Sequence, residues 1–123
     1  MTKYGEEVLI DLHGCSVDVM TRDTIRQFLL DLCDRIEMER CELYFWDDLE
    51  TPENEKQTSP HTQGTSAVQF ILTSNITIHT LEQLGKVFIN VFSCKPFSQT
   101  TVEEVVVNHF GGEIQKSIKV DRL

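Results

Sequence analysis

Three reactive side chains sit near strand ends in the second half of the chain. Ser74 and His79 belong to the run Leu72-Thr73-Ser74-Asn75-Ile76-Thr77-Ile78-His79-Thr80, and Cys94 closes Val91-Phe92-Ser93-Cys94 fifteen residues after His79. A serine hydroxyl in a strained strand-to-strand turn can attack the carbonyl carbon of the peptide bond before it, turning amide into ester by an N-to-O acyl shift. Here Ser74 would attack Thr73. Loss of the Cα proton from the esterified serine expels the upstream carboxylate, and hydrolysis of the dehydroalanine leaves a pyruvoyl group at a new N-terminus. The step needs a base, and His79 is the candidate because imidazole titrates near neutrality. Ser66, eight residues before Ser74, can hydrogen-bond the oxyanion. Taken singly, each residue has a plainer reading: Ser74 as a turn residue, His79 as a satisfied sheet-face histidine, Cys94 as a small core residue.

Strands must hold these groups. Glu7 to Leu12 alternates, with Val8, Ile10 and Leu12 on one side, which is the period of a half-buried strand. From Thr21 to Met38, Ile25, Phe28, Leu29, Leu32, Cys33 and Ile36 recur at helical intervals, so Cys33 reads as core filling. Cys41 to Trp46 reads as a second strand. The polar stretch 47–65, with two prolines, has too little apolar surface to order itself and reads as a mobile loop. Three strands follow at Ser66 to Thr73, Asn75 to His79 and Lys86 to Cys94. Thr100 and Thr101 ahead of Glu103 and Glu104 predict a capping box for a second helix striped with Val102, Val105, Val106 and Phe110. Gly111 and Gly112 end it before a last strand, Glu113 to Val120.

That order predicts an α+β fold in one domain, 1–123: a two-layer sandwich of mainly antiparallel sheet with two helices on one face. The other face, with Phe88, Asn90, Phe92 and Cys94, would then lie open, and a second subunit packing there is the expectation, making a homodimer or higher homo-oligomer.

Composition narrows the partners. Twenty acidic against eleven basic residues give a formal charge of −9 over 123 residues, with no basic cluster, which argues against nucleic acid and favours a cationic small molecule. Cys15, Cys33, Cys41 and Cys94 form no CxxC pair and show no metal-ligand spacing with His13, His61, His79 and His109, so neither a metal nor a role for His13, His61 or His109 is expected. The first residues carry no apolar secretory run, and no stretch reaches the ~18 apolar residues of a membrane span. A cytoplasmic protein with reduced thiols is the expectation.

Taken together, several blocks resemble the bacterial S-adenosylmethionine decarboxylases. Gly5-Glu6-Glu7-Val8-Leu9-Ile10-Asp11-Leu12-His13-Gly14-Cys15 is similar to that family's first strand, which ends Asp-Leu-Tyr-Gly-Cys. Ser74, Ile76, Ile78, His79 and Thr80 match its Glu-Ser-His-Ile-Ser-Ile-His-Thr block, and Val91-Phe92-Ser93-Cys94 its Val-Phe-Thr-Cys, with the spacing from Ser66 to Cys94 kept throughout. The resemblance implies autocatalytic cleavage at Thr73-Ser74 into chains 1–73 and 74–123. It makes Ser74 the precursor of a covalent pyruvoyl cofactor, gives His79 and Ser66 a part in processing, and makes Cys94 the proton donor of decarboxylation. A pyruvoyl carbonyl binds a substrate amine as a Schiff base and accepts the electrons released with carbon dioxide, as pyridoxal phosphate does elsewhere. The implied substrate is S-adenosylmethionine, for spermidine synthesis. The chain departs from the pattern in three places: Thr73 replaces Glu, Asn75 replaces His, and Leu81-Glu82-Gln83 replaces a Trp-Pro-Glu whose acid, in the family, holds the ribose hydroxyls. Gln83, with Glu82 beside it, is the candidate substrate contact. Two alternatives remain open: a pyruvoyl-dependent arginine or ornithine decarboxylase, and an uncleaved homologue that serves as a binding or regulatory subunit.

Overall fold

The computed structural model describes residues 2–123. Six strands form one antiparallel sheet: β1 (Gly5–His13), β2 (Arg40–Trp46), β3 (Gly64–Ile71), β4 (Ser74–Leu81), β5 (Lys86–Ser93) and β6 (Glu113–Arg122), in the order β2-β3-β4-β5-β1-β6. β3, β4 and β5 are joined by tight hairpins, so their register follows directly from the turns: Ile71 pairs with Ser74, and Leu81 with Lys86. Helices α1 (Arg22–Arg35) and α2 (Gln99–Phe110) make the second layer.

The period-two pattern decides which face is covered. Val8, Ile10 and Leu12 of β1, Ile76 and Ile78 of β4, and Val87, Ile89 and Val91 of β5 are buried and join one core with Ile25, Phe28, Leu29 and Leu32 of α1 and Val102, Val105, Val106 and Phe110 of α2. Alternate residues look the other way, where no helix lies. Leu9, Tyr44, Trp46, Phe70, Ile118 and Val120 are exposed there. The two-layer α+β sandwich with one open sheet face is therefore the fold, as the sequence predicts.

Helix α1 stops earlier than its apolar stripe. Ile36 caps it and Glu37 takes a left-handed φ of 57° to turn the chain into β2. The capping box also differs from expectation. Ser98 is the N-cap of α2, its hydroxyl accepting from the Thr101 N–H at 3.1 Å, so Thr100 and Thr101 lie inside the first turn. Glu104 is turned to Arg35 on α1 instead. The cap therefore lies two residues before Thr100, with Gln99 between it and the two threonines.

The 47–65 segment is pinned at both ends, with one 3-10 turn at Glu53–Glu55. At its start, the Asp47 carboxylate accepts from Arg22 Nε and Nη2, both at 2.7 Å, while the Arg22 and Arg26 guanidinium groups lie over the Phe45 ring. This Arg22 hydrogen bonding holds the nearly buried Asp47 carboxyl below the usual carboxylate range. A carboxyl depressed on folding contributes stability above its unfolded pKa near 4, and that contribution disappears as pH falls through the folded value. Asp47→Asn should thus cost about 1 kcal/mol at neutral pH, one partner being open to solvent. It should also flatten the acid-side fall of the unfolding temperature, as read in thermal melts from pH 7 down to pH 3.

Candidate active site

The β3–β4 hairpin turns on only two residues, Leu72 and Thr73, and Thr73 has φ 61°. A left-handed residue in such a loop is ordinarily glycine or asparagine, and a β-branched side chain there is strained. The turn cannot relax freely, because the Leu72 N–H donates to Glu39 O at 3.1 Å. The peptide bond between Thr73 and Ser74 follows immediately on this residue, at the entrance to β4.

Ser74 is almost fully buried, and its Oγ accepts from the Cys94 N–H at 3.1 Å. The Cys94 Sγ lies 3.1 Å from Thr73 Oγ1. Hydrogen bonding to the sulfur by the Thr73 side chain first, and then by the Ser74 side chain, lowers the pKa of the Cys94 thiol, with a smaller contribution from Tyr4. The residues on either side of Cys94 are held in turn. Lys95 N–H donates to Ser93 Oγ at 3.0 Å, and Lys95 Nζ to Glu37 O at 2.7 Å. On the other side Gly5 presses against it: a Cβ on Gly5 would lie 2.3 Å from Ser93 O and 2.9 Å from Cys94 Cα, so only glycine lets β1 approach this closely. A cavity of about 310 Å³ opens beside the turn, between Glu37, Met38, Leu72, Thr73, Cys94 and Lys95.

The other candidate residues gather at the far end of the same hairpin. Ser66 and His79 are paired in register, and Ser66 Oγ lies 2.8 Å from His79 Nδ1. A second cavity of about 320 Å³ adjoins them, lined by Trp46, Gln57, His61, Thr62, Ser66 and His79 among others. Three of these belong to the 47–65 loop. The loop is closed on this end by Gln83, which donates to Thr58 O at 3.0 Å and contacts Gln63 Oε1, and by the Glu82 N–H, which donates to Gln63 O at 3.2 Å. Gln83 and Glu82 therefore hold the loop that lines the His79 cavity, and Glu82 itself lines a separate one with Asp47, Asp48 and Gln63.

One chain does not bring the two groups together. His79 lies five positions beyond Ser74 along β4, roughly 17 Å of strand. Their odd spacing also puts the side chains on opposite faces: Ser74 follows buried Ile76 and Ile78, and His79 follows Asn75 and Thr77 on the open face. Within its own chain His79 is out of reach of the Ser74 backbone. The structure thus joins Thr73, Ser74 and Cys94, joins Ser66 and His79, and separates the two sets. It also adds Tyr4 near the thiol, and His61 and Trp46 beside His79, residues that no motif marks. Cys15 and Cys33 pack in the core, burial lifting the Cys33 thiol to about 11. Among the described residues no group of three His, Cys, Asp or Glu side chains is placed to hold a metal, and no helix is long and apolar enough to cross a membrane.

Comparisons of sequence and of structure with known proteins agree. The family model described as S-adenosylmethionine decarboxylase matches residues 6–123. The chain is 30% identical over 95 residues to the S-adenosylmethionine decarboxylase proenzyme of Clostridium kluyveri, a match covering 76% of this chain and 66% of that protein. It is 26% identical over 123 residues to the proenzyme of Geobacillus kaustophilus, covering 99% and 90% of the two. The crystal structure of the adenosylmethionine decarboxylase from Aquifex aeolicus superposes with a TM-score of 0.73 at 17% identity, over 99% of this chain and 91% of that one, which establishes a common fold.

Proposed function

The chain belongs to the S-adenosylmethionine decarboxylase family, and we propose that it is a self-processing, pyruvoyl-dependent decarboxylase whose active site is completed by a second copy of itself. The observation that carries this reading is the strained Thr73 at the entrance to β4, with Ser74 and Cys94 at one end of that strand and Ser66 with His79 at the other.

Ser74 Oγ attacks the Thr73 carbonyl, and release of the left-handed turn favours the ester. A histidine then takes the Ser74 Cα proton as the Thr73 carboxylate departs, and hydrolysis releases ammonia. Because His79 lies on the open face, a second chain packed face to face supplies it. A two-fold axis across the middle of β4 sets one chain's Ser74 end over the other's Ser66–His79 end, and does so twice. The same face carries Leu9, Phe88, Phe92, Ile118 and Val120, apolar surface that such a dimer would cover. Ser66 holds His79 Nδ1 and so fixes the imidazole's orientation.

The residues present fit the cofactor, since the buried Ser74 lies beside a thiol and a backbone N–H. When formed, the pyruvoyl group supplies a carbonyl that binds a substrate amine and takes up electrons as carbon dioxide leaves. Cys94 then returns a proton to the product carbon. The substrate is S-adenosylmethionine, whose sulfonium and amine are drawn by a chain of charge −9. All four cysteines are free, in keeping with a cytoplasmic setting.

One observation favours a second reading. The amide of Gln83, which stands where the family pattern has a carboxylate, is spent on the 47–65 loop and is not free for a ribose diol, and arginine or ornithine would not need one. Carbon dioxide release from the three amino acids, measured side by side, decides between them. Cys94→Ala should keep most of the cleavage and lose about 10²-fold or more in decarboxylation; equal turnover would remove Cys94 from its role.

A further inference from the structure

The residue before the cleaved bond does more than create strain. We propose that the Thr73 hydroxyl is a positioning group for Cys94: it pins the sulfur against the scissile turn and gives the thiol a hydrogen-bond partner whether or not it carries its proton. The role belongs to the uncut chain, in which Thr73 and Ser74 are still joined, and it rests on the reading of Cys94 as the acid of the later reaction.

The geometry is that of a hydroxyl with two neighbours and a single proton. Thr73 Oγ1 lies 2.7 Å from Leu72 O and 3.1 Å from Cys94 Sγ. With the thiol protonated, the S–H donates to Thr73 Oγ1, whose own proton goes to Leu72 O. With the thiol ionised, the same O–H turns from the carbonyl to the sulfur. No heavy atom has to move between the two states, because rotation of one hydroxyl serves both. The choice of residue agrees. At φ 61° glycine or asparagine would sit with less strain, and valine would be as strained as threonine without the hydroxyl. What threonine adds at this position is the oxygen facing the sulfur. The direction of the Cys94 thiol, held low with Thr73 as its foremost cause, is in keeping.

The test uses the uncleaved Ser74→Ala chain, so that it needs neither processing nor turnover. The pH dependence of iodoacetamide alkylation is read by peptide mass spectrometry at Cys94, with exposed Cys41 as the internal control. In that background Thr73→Val should raise the alkylation midpoint of Cys94 by about half a pH unit or more, Thr73→Ser should restore it, and Cys41 should not change. Thr73→Gly removes the hydroxyl while relieving the backbone, guarding against a misfolded valine variant, and should show the same rise. A midpoint that stays put in the glycine or valine variant, or a serine variant that fails to restore it, overturns the proposal. Uncut wild-type protein would contradict the decarboxylase reading but leave this measurement standing.

Discussion

Ser74→Ala should remain one chain of 123 residues, with no trace of fragments 1–73 and 74–123 on denaturing electrophoresis, and should release no carbon dioxide from S-adenosylmethionine. The effect is total because the substitution removes the attacking oxygen and, with it, the atoms that become the ketone. No neighbour can take its place. The Thr73 hydroxyl belongs to the acyl side of the bond and is engaged with Leu72 O and Cys94. The Cys94 sulfur, even if it attacked Thr73, would leave residue 74 an alanine that cannot eliminate. The fold should survive, since β4 begins at this position and its core residues Ile76 and Ile78 are untouched. Partial cleavage by the variant would mean that a different residue starts the reaction.

Mixing two dead variants should revive the protein. His79→Ala and Ser74→Ala chains each fail alone, the first for want of the base and the second for want of the nucleophile. In a mixed dimer, the His79→Ala chain offers an intact Ser74 and Cys94 to the intact Ser66 and His79 of the Ser74→Ala chain. One of its two sites is whole. Equal coexpression makes half of the dimers mixed, so about a quarter of wild-type cleavage and turnover returns under two-fold symmetry. Two variants from the same set, Ser74→Ala and Cys94→Ala, give a mixed dimer in which neither site has both residues, so turnover does not return. A single-chain site predicts no revival in either mixture. The separation of His79 from Ser74 along β4 is what makes this outcome necessary.

The strands and helices were legible because period-two and helical patterns are consequences of one-sided burial, and here each element buries one face. Alternation in β1 and β5 told of an open phenylalanine face correctly. The spacing 74 to 79 also held its lesson in plain view: an odd interval on a strand cannot aim two side chains the same way, so His79 belonged to a different face from Ser74. The pairing of Ser66 with His79 follows once the hairpin turn is known to use two residues. Other features could not be read. Nothing in the types Leu72 and Thr73 announces a left-handed residue, since the turn is imposed by the strands on either side and by the Glu39 carbonyl. The hold of Gln83 on the 47–65 loop depends on the Thr58 carbonyl, a group every residue has. Ser98 as helix cap was likewise not marked, because Thr100 and Thr101 next to it carry the same hydroxyl capacity.

The most direct test of the account is the intact mass of freshly purified wild-type protein under denaturing conditions. The account predicts two species, residues 1–73 with an ordinary carboxylate and residues 74–123 one ammonia lighter than a serine-started fragment, the latter reacting with a carbonyl reagent. A single full-length mass, or a downstream fragment that begins with plain serine and ignores the reagent, would contradict it.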